Sequence, residues 1–187
     1  MMKTLAFSSA STRVAIIAAG ILVAANPAKA ETQGTLGATS QGSIDIQASV
    51  PSRARITKLV DVSFLNQDPT SPATSSQSVC VWSNTSTGAY SITATGSGTG
   101  NAFTLSDGSD EVAYSVQWNQ AAGQSSGSTL ATGAASATLT SAATHQTCTT
   151  GPAFSASLIV GIDTTELSSM NAGSVYSGSL TLLVTPQ

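Results

Sequence analysis

Apolar and polar residues alternate along much of the chain, and nowhere do apolar residues recur at a sustained helical spacing. The longest alternation covers residues 36–50, where Leu36, Ala38, Ser40, Gly42, Ile44, Ile46, Ala48 and Val50 are apolar or small and polar or glycine residues stand between them. Shorter runs occur at Tyr90/Ile92/Ala94, Phe103/Leu105, Val112/Tyr114/Val116/Trp118, Phe154/Ala156/Leu158/Val160/Ile162 and Leu180/Leu182/Val184. Side chains of a strand point alternately to its two faces, so each run predicts a strand with one buried face. Asp107-Gly108 predicts a hairpin turn between the Phe103 and Val112 runs, and residues 96–101 a link between the Tyr90 and Phe103 runs. Residues 164–170 have room for one helical turn. Residues 120–152, rich in Ala, Ser, Thr and Gly, read as a weak edge strand with long loops. Six or seven short strands at this spacing predict an all-β, immunoglobulin-like antiparallel β-sandwich, with an up-and-down barrel as the alternative.

The first thirty residues break this pattern. Lys3 and Arg13 precede the apolar run 14–25, which Pro27 and Ala28-Lys29-Ala30 follow. A charged start, a short apolar stretch and an A-x-A site are the parts of a secretory signal peptide, with Ala28 and Ala30 marking cleavage after Ala30. A membrane anchor is the alternative, but the run is short for a bilayer. Of 187 residues, 157 then remain, enough for one domain. That part holds three basic residues, Arg53, Arg55 and Lys58, against all nine acidic ones, for a net charge of −6. Nucleic acid is therefore not an expected partner.

Export places Cys80 and Cys148, the two cysteines, in an oxidising compartment, where one pairing is available to them. The expectation is a Cys80–Cys148 disulfide. A reactive thiol or a metal ligand is the competing reading, with His145 three residues before Cys148, but one His and one Cys fall short of the four ligands of a zinc site. Asp107, Asp110 and Glu111 crowd a turn without the spacing of a calcium loop, and a solvated hairpin is the simpler account. Trp82 and Trp118 read as core or half-core residues, and Asn84-Thr85-Ser86 is a formal glycosylation sequon. Serine is abundant around a single histidine, yet there is no HExxH element and no carboxylate pair at a fixed local spacing. No enzyme activity, metal or cofactor is expected.

The two ends of the exported chain are the most informative. Residues 36–50 would extend about 50 Å at ~3.4 Å per residue, well beyond the five or six residues usual in a sandwich strand. At the other end, residues 176–184 read as a strand, with Thr185-Pro186-Gln187 after it. Ile44-Asp45-Ile46-Gln47-Ala48-Ser49-Val50-Pro51 is similar to the donor strand of colonisation-factor pilins, through its A-S-V element and nearby proline. Residues 172–182 (AGSVYSGSLTL) resemble the closing A-G-x-Y-x-G motif and final strand of the same type, with one residue inserted before Tyr176; the Tyr-x-Gly ending also resembles the archaic, spore-coat-U-like pilins. The chain thus resembles a chaperone–usher fimbrial subunit over about 25 residues at its ends. It departs from the colonisation-factor major subunits in having a disulfide pair, and from the archaic pilins in the later position of Cys80.

The resemblance implies a sandwich missing its last strand and a subunit of a cell-surface fimbria that polymerises by donor-strand exchange. On that reading residues 1–30 are the signal peptide, 31–50 the donor-strand extension and 51–187 the pilin domain. Leu36, Ala38, Ile44, Ile46, Ala48 and Val50 would be the donor positions, and Leu180, Leu182 and Val184 would line the acceptor groove. The implied partners are identical or related pilin subunits, a periplasmic chaperone, an outer-membrane usher, and a host or surface receptor for cell adhesion. Burial of Ile44, Ile46 and Val50 would contribute roughly 5–9 kcal/mol gross, a large share of the ~5–15 kcal/mol by which whole domains are stable. The alternative from a different class is a monomeric secreted β-sandwich that folds residues 36–50 back into itself and binds carbohydrate or matrix components.

Overall fold

The computed structural model describes residues 31–187, so the cleavage expectation at Ala28 and Ala30 lies outside the described residues. Contacts divide the chain into two units, Met1–Ser49 and Val50–Gln187. In the first, the described residues carry one isolated bridge, in which Thr32 and Ser43 exchange backbone bonds of 3.0 and 2.9 Å. Residues 36–50 form no strand, contrary to their alternation, and Leu36, Ile44, Ile46 and Val50 are exposed. Alternation supplies a face, but a strand also needs an edge to pair with.

The second unit is built of ten short strands and little helix. They are β1 (Ala54–Thr57), β2 (Ala73–Ser83), β3 (Ala89–Gly96), β4 (Thr104–Ser106), β5 (Glu111–Ala113), β6 (Ser115–Asn119), β7 (Ser128–Thr129), β8 (Leu139–Thr140), β9 (Ala156–Ile162) and β10 (Leu180–Pro186). One sheet has the order β1-β2-β9-β6-β7, a second β10-β3-β8, and β4 and β5 form the hairpin that Asp107-Gly108 predicts. Every ladder is antiparallel. The six-residue helix α1 (Thr164–Ser169) begins at Asp163, whose Oδ1 accepts from the Glu166 amide at 2.9 Å. Glu166 in turn accepts from the Ala113 amide at 2.7 Å, which ties the helix to β5.

The two larger sheets face each other across one core, as a sandwich requires. Val79 and Val81 of β2, Val116 and Trp118 of β6, and Leu158, Val160 and Ile162 of β9 meet Tyr90, Ile92 and Ala94 of β3. The indole N–H of Trp118 donates to the Tyr90 hydroxyl at 3.1 Å, joining the sheets through a buried polar contact. β9 departs from the one-buried-face expectation, because it is central in its sheet and covered on both faces. Its outward Ser157 is nearly inaccessible and binds the 121–124 loop, donating to the Ala121 carbonyl at 2.9 Å and accepting from the Gln124 amide at 3.0 Å. Phe154 falls outside the strand and is partly exposed.

Cys80 and Cys148 are joined by a disulfide, with Cα atoms 6.0 Å apart. Cys80 points outward from β2, so the bond fastens the loop around Cys148 to the outer face of the larger sheet. Lys58 reinforces this corner. Its Nζ donates to the Ala153 carbonyl at 2.6 Å and lies 4.6 Å from the Phe154 ring centre. Lys58 thus serves this corner of the fold, while Arg53 and Arg55 are exposed.

Candidate functional site

β10 is an outer strand. It pairs with β3 along one edge, in register from Leu180 with Gly96 to Pro186 with Tyr90, and no strand among the described residues pairs with its other edge. β1, the outer strand of the larger sheet, approaches it without a ladder. The sandwich is therefore unsealed on this side, with a row of backbone donors and acceptors turned to solvent.

An open cleft of about 440 Å³ lies here, within the size range of ligand pockets. Leu180 and Leu182 form one wall and residues 59–64 the other, with Val62 and Phe64 packed against the core. Leu158 and Val160, two core residues of β9, line it from within, so the cleft reaches the interior of the sandwich. Tyr114 also lines it, and burial pushes its phenol up from 10.0. Of the three residues expected at an acceptor groove, Leu180 and Leu182 line the cleft, and Val184 packs against the core farther along β10.

The second wall is held by a side chain instead of a ladder. Gln77 of β2 accepts from the Val60 amide and donates to the Val60 carbonyl, both at 2.8 Å, imitating with its carboxamide the exchange between two paired strand residues. Residues 59–65 expose Leu59, Val60 and Leu65, which keeps apolar surface at the mouth. Sequence reasoning missed this wall, although Val60, Val62 and Phe64 alternate with Asp61 and Ser63 in the manner of a strand.

Asp107 stands in a hairpin turn, where Oδ1 accepts from the amides of Ser109 and Asp110, both at 2.9 Å. These bonds lower its pKa. Gly123-Gln124-Ser125-Ser126-Gly127 spells a G-x-S-x-G string, overlooked in the sequence, but it lies in the loop between β6 and β7 and not on the strand-to-helix turn that a nucleophile elbow needs.

No protein-family model matches the chain, and no curated protein sequence does. Solved structures do. One neighbour is a chain of a chaperone–tip adhesin complex vital for synergistic activation of CFA/I fimbriae biogenesis, at 17% identity and a TM-score of 0.47 over 73% of this chain. Another belongs to the CsuC–CsuE chaperone–tip adhesion subunit pre-assembly complex from the archaic chaperone–usher Csu pili of Acinetobacter baumannii, at 20% identity and a TM-score of 0.37 over 73% of this chain. The chain spans about two fifths of the length of each, 41% and 40%.

Proposed function

We propose that this protein is a structural subunit of a cell-surface fimbria and that it polymerises by donor-strand exchange, with residues 36–50 of one subunit entering the cleft beside β10 of the next. One observation carries the reading: an apolar cleft bordered by an unpaired strand edge occurs in the same chain as an exposed, alternating segment that forms no strand, only the single bridge between Ser43 and Thr32. The spacings agree. Ile44, Ile46, Ala48 and Val50 repeat every second residue, as do the inward-facing Leu180, Leu182 and Val184 of β10. A strand added there would extend the β10-β3-β8 sheet and place its apolar face against Leu158 and Val160. Export through the periplasm, a chaperone that shields the cleft and an usher belong to the same proposal, since an open edge and an exposed apolar cleft invite aggregation before assembly.

The test is a set of thermal melts on the exported protein. Ile44→Asp with Ile46→Asp should abolish polymer formation, because two carboxylates would enter an apolar cleft, and should leave the monomer's melt unchanged. A copy of residues 36–50 joined after Gln187 by a flexible linker should raise the melting temperature, by supplying the strand in cis at high effective concentration. A monomer that gains nothing from the fused copy, or that is unfolded by the two aspartates, would show that these residues belong to its own sandwich and would overturn the proposal.

A further inference from the structure

A second cleft, of about 510 Å³, lies on the outer face of the larger sheet and shares no lining residue with the first. Cross-strand pairing sets Arg55 opposite Trp82, and Trp82 and Arg53 both line this cleft. The opposite wall is His145 and Gln146, on the loop that Cys148 anchors to β2. Asn84 fixes the chain beside Arg53, accepting from the Arg53 amide at 2.6 Å and donating to the Pro51 carbonyl at 2.9 Å. The frame is thus preorganised on both sides.

We propose that this cleft binds a carboxylate-bearing sugar residue, of the sialic acid or uronic acid class. Trp82 is half-buried, and its indole offers an apolar face for the C–H side of a pyranose ring. Arg53 is exposed and pairs with no acidic group among the described residues, and no Asp or Glu lines the cleft. Two of the three cations of residues 31–187 therefore stand at or beside this cleft. A guanidinium in that setting suits one carboxylate in a bidentate grip. The backbone amide of Thr147 donates to His145 Nδ1 at 3.3 Å, which leaves Nε2 as the ring nitrogen available to donate to a hydroxyl oxygen. The site lies on a different face and involves no residue of the β10 cleft; its one link to the polymer reading is Val50, the last residue of the donor segment, which stands among its lining residues.

The test is calorimetric titration of the exported, disulfide-bonded protein with three probes: a sialic acid-terminated trisaccharide, a glucuronic acid-terminated disaccharide, and the glucose analogue of the latter. The acidic sugars are expected to bind and the neutral one to bind at least about tenfold more weakly. Arg53→Gln should reduce acidic-sugar affinity by about tenfold or more, and His145→Ala by less. Both side chains are outside the core, so unchanged melts will confirm that the variants fold. Preference between the two acidic probes would separate a sialylated surface from a uronate-containing one. Equal binding of acidic and neutral sugars, affinity untouched by Arg53→Gln, or no heat at about 10 mM probe, where a Kd of ~1 mM would be nearly saturated, would overturn the proposal. Equally tight binding of inorganic phosphate would reduce the site to a simple anion trap and would overturn it too.

Discussion

Trp118 donates its indole N–H to the hydroxyl of Tyr90 across the interior of the sandwich, at 3.1 Å, with both residues almost wholly buried. This bond joins β6 of the five-stranded sheet to β3, the middle strand of the smaller one. Tyr90→Phe would keep the ring and leave the indole N–H buried without a partner. The expected loss is about 1–3 kcal/mol, the usual consequence of orphaning a buried donor, read as a lower urea midpoint with an unchanged slope.

The same tyrosine makes stability fall in alkali. Burial raises the Tyr90 pKa above 10.0, only partly offset by the Trp118 bond, and burial raises that of Tyr114 as well. The folded state therefore holds these protons more tightly than the unfolded one. Their contribution is complete below pH 10.0 and is lost as pH rises through the folded-state values. Denaturation curves from pH 8 to about 12 should show this decline, and Tyr90→Phe should make it shallower.

Gln77 governs the wall formed by residues 59–64. Gln77→Ala removes both bonds to Val60 at an exposed position, so the global loss should be modest, about 1 kcal/mol. The local effect should be larger. Exchange of the Val60 amide should accelerate and cleavage by a protease near Leu59 or Leu65 should increase, whereas Gln77→Glu, which keeps the acceptor for the Val60 amide, should fall between the two. Identical Val60 exchange in all three proteins would show that the wall stands without this side chain.

Most of the strand framework was legible in the sequence, for reasons that particular elements make plain. The β4–β5 hairpin announces itself through Asp107-Gly108, and β3, β6 and β10 through clean alternation. β2 was not visible, although at eleven residues it is the longest strand, because its first half is Ala-Thr-Ser-Ser-Gln-Ser and carries no large apolar side chain. Those residues pair with β9 and, Ala73 apart, leave the core contacts to Val79 and Val81. Only one wall of the β10 cleft could be read, since the other depends on a long-range carboxamide contact between Gln77 and Val60. The outer-face cleft was invisible for the same kind of reason: Arg53, Trp82 and His145 meet through a ladder and a disulfide and have no local motif.

Cys80→Ser with Cys148→Ser should destabilise the fold by up to ~4 kcal/mol, the chain-entropy estimate for a loop of this length. Amides of the loop around Cys148 should lose exchange protection first, because Lys58 and short polar contacts are then what holds it. Unfolding in denaturant with and without prior reduction of the native protein measures the same difference.

The disulfide also sets how far the protein can stretch. If successive subunits are linked at β10 and at the start of β1, a pull along the filament enters and leaves the domain outside the span between Cys80 and Cys148. A separation of 68 residues is then bypassed by a covalent tether, withholding roughly 230 Å of contour at ~3.4 Å per residue from any forced extension. Drag on the filament could draw out the chain before Cys80 and after Cys148, while β3, β6 and the loops between them stay inside a closed ring that tension cannot reach.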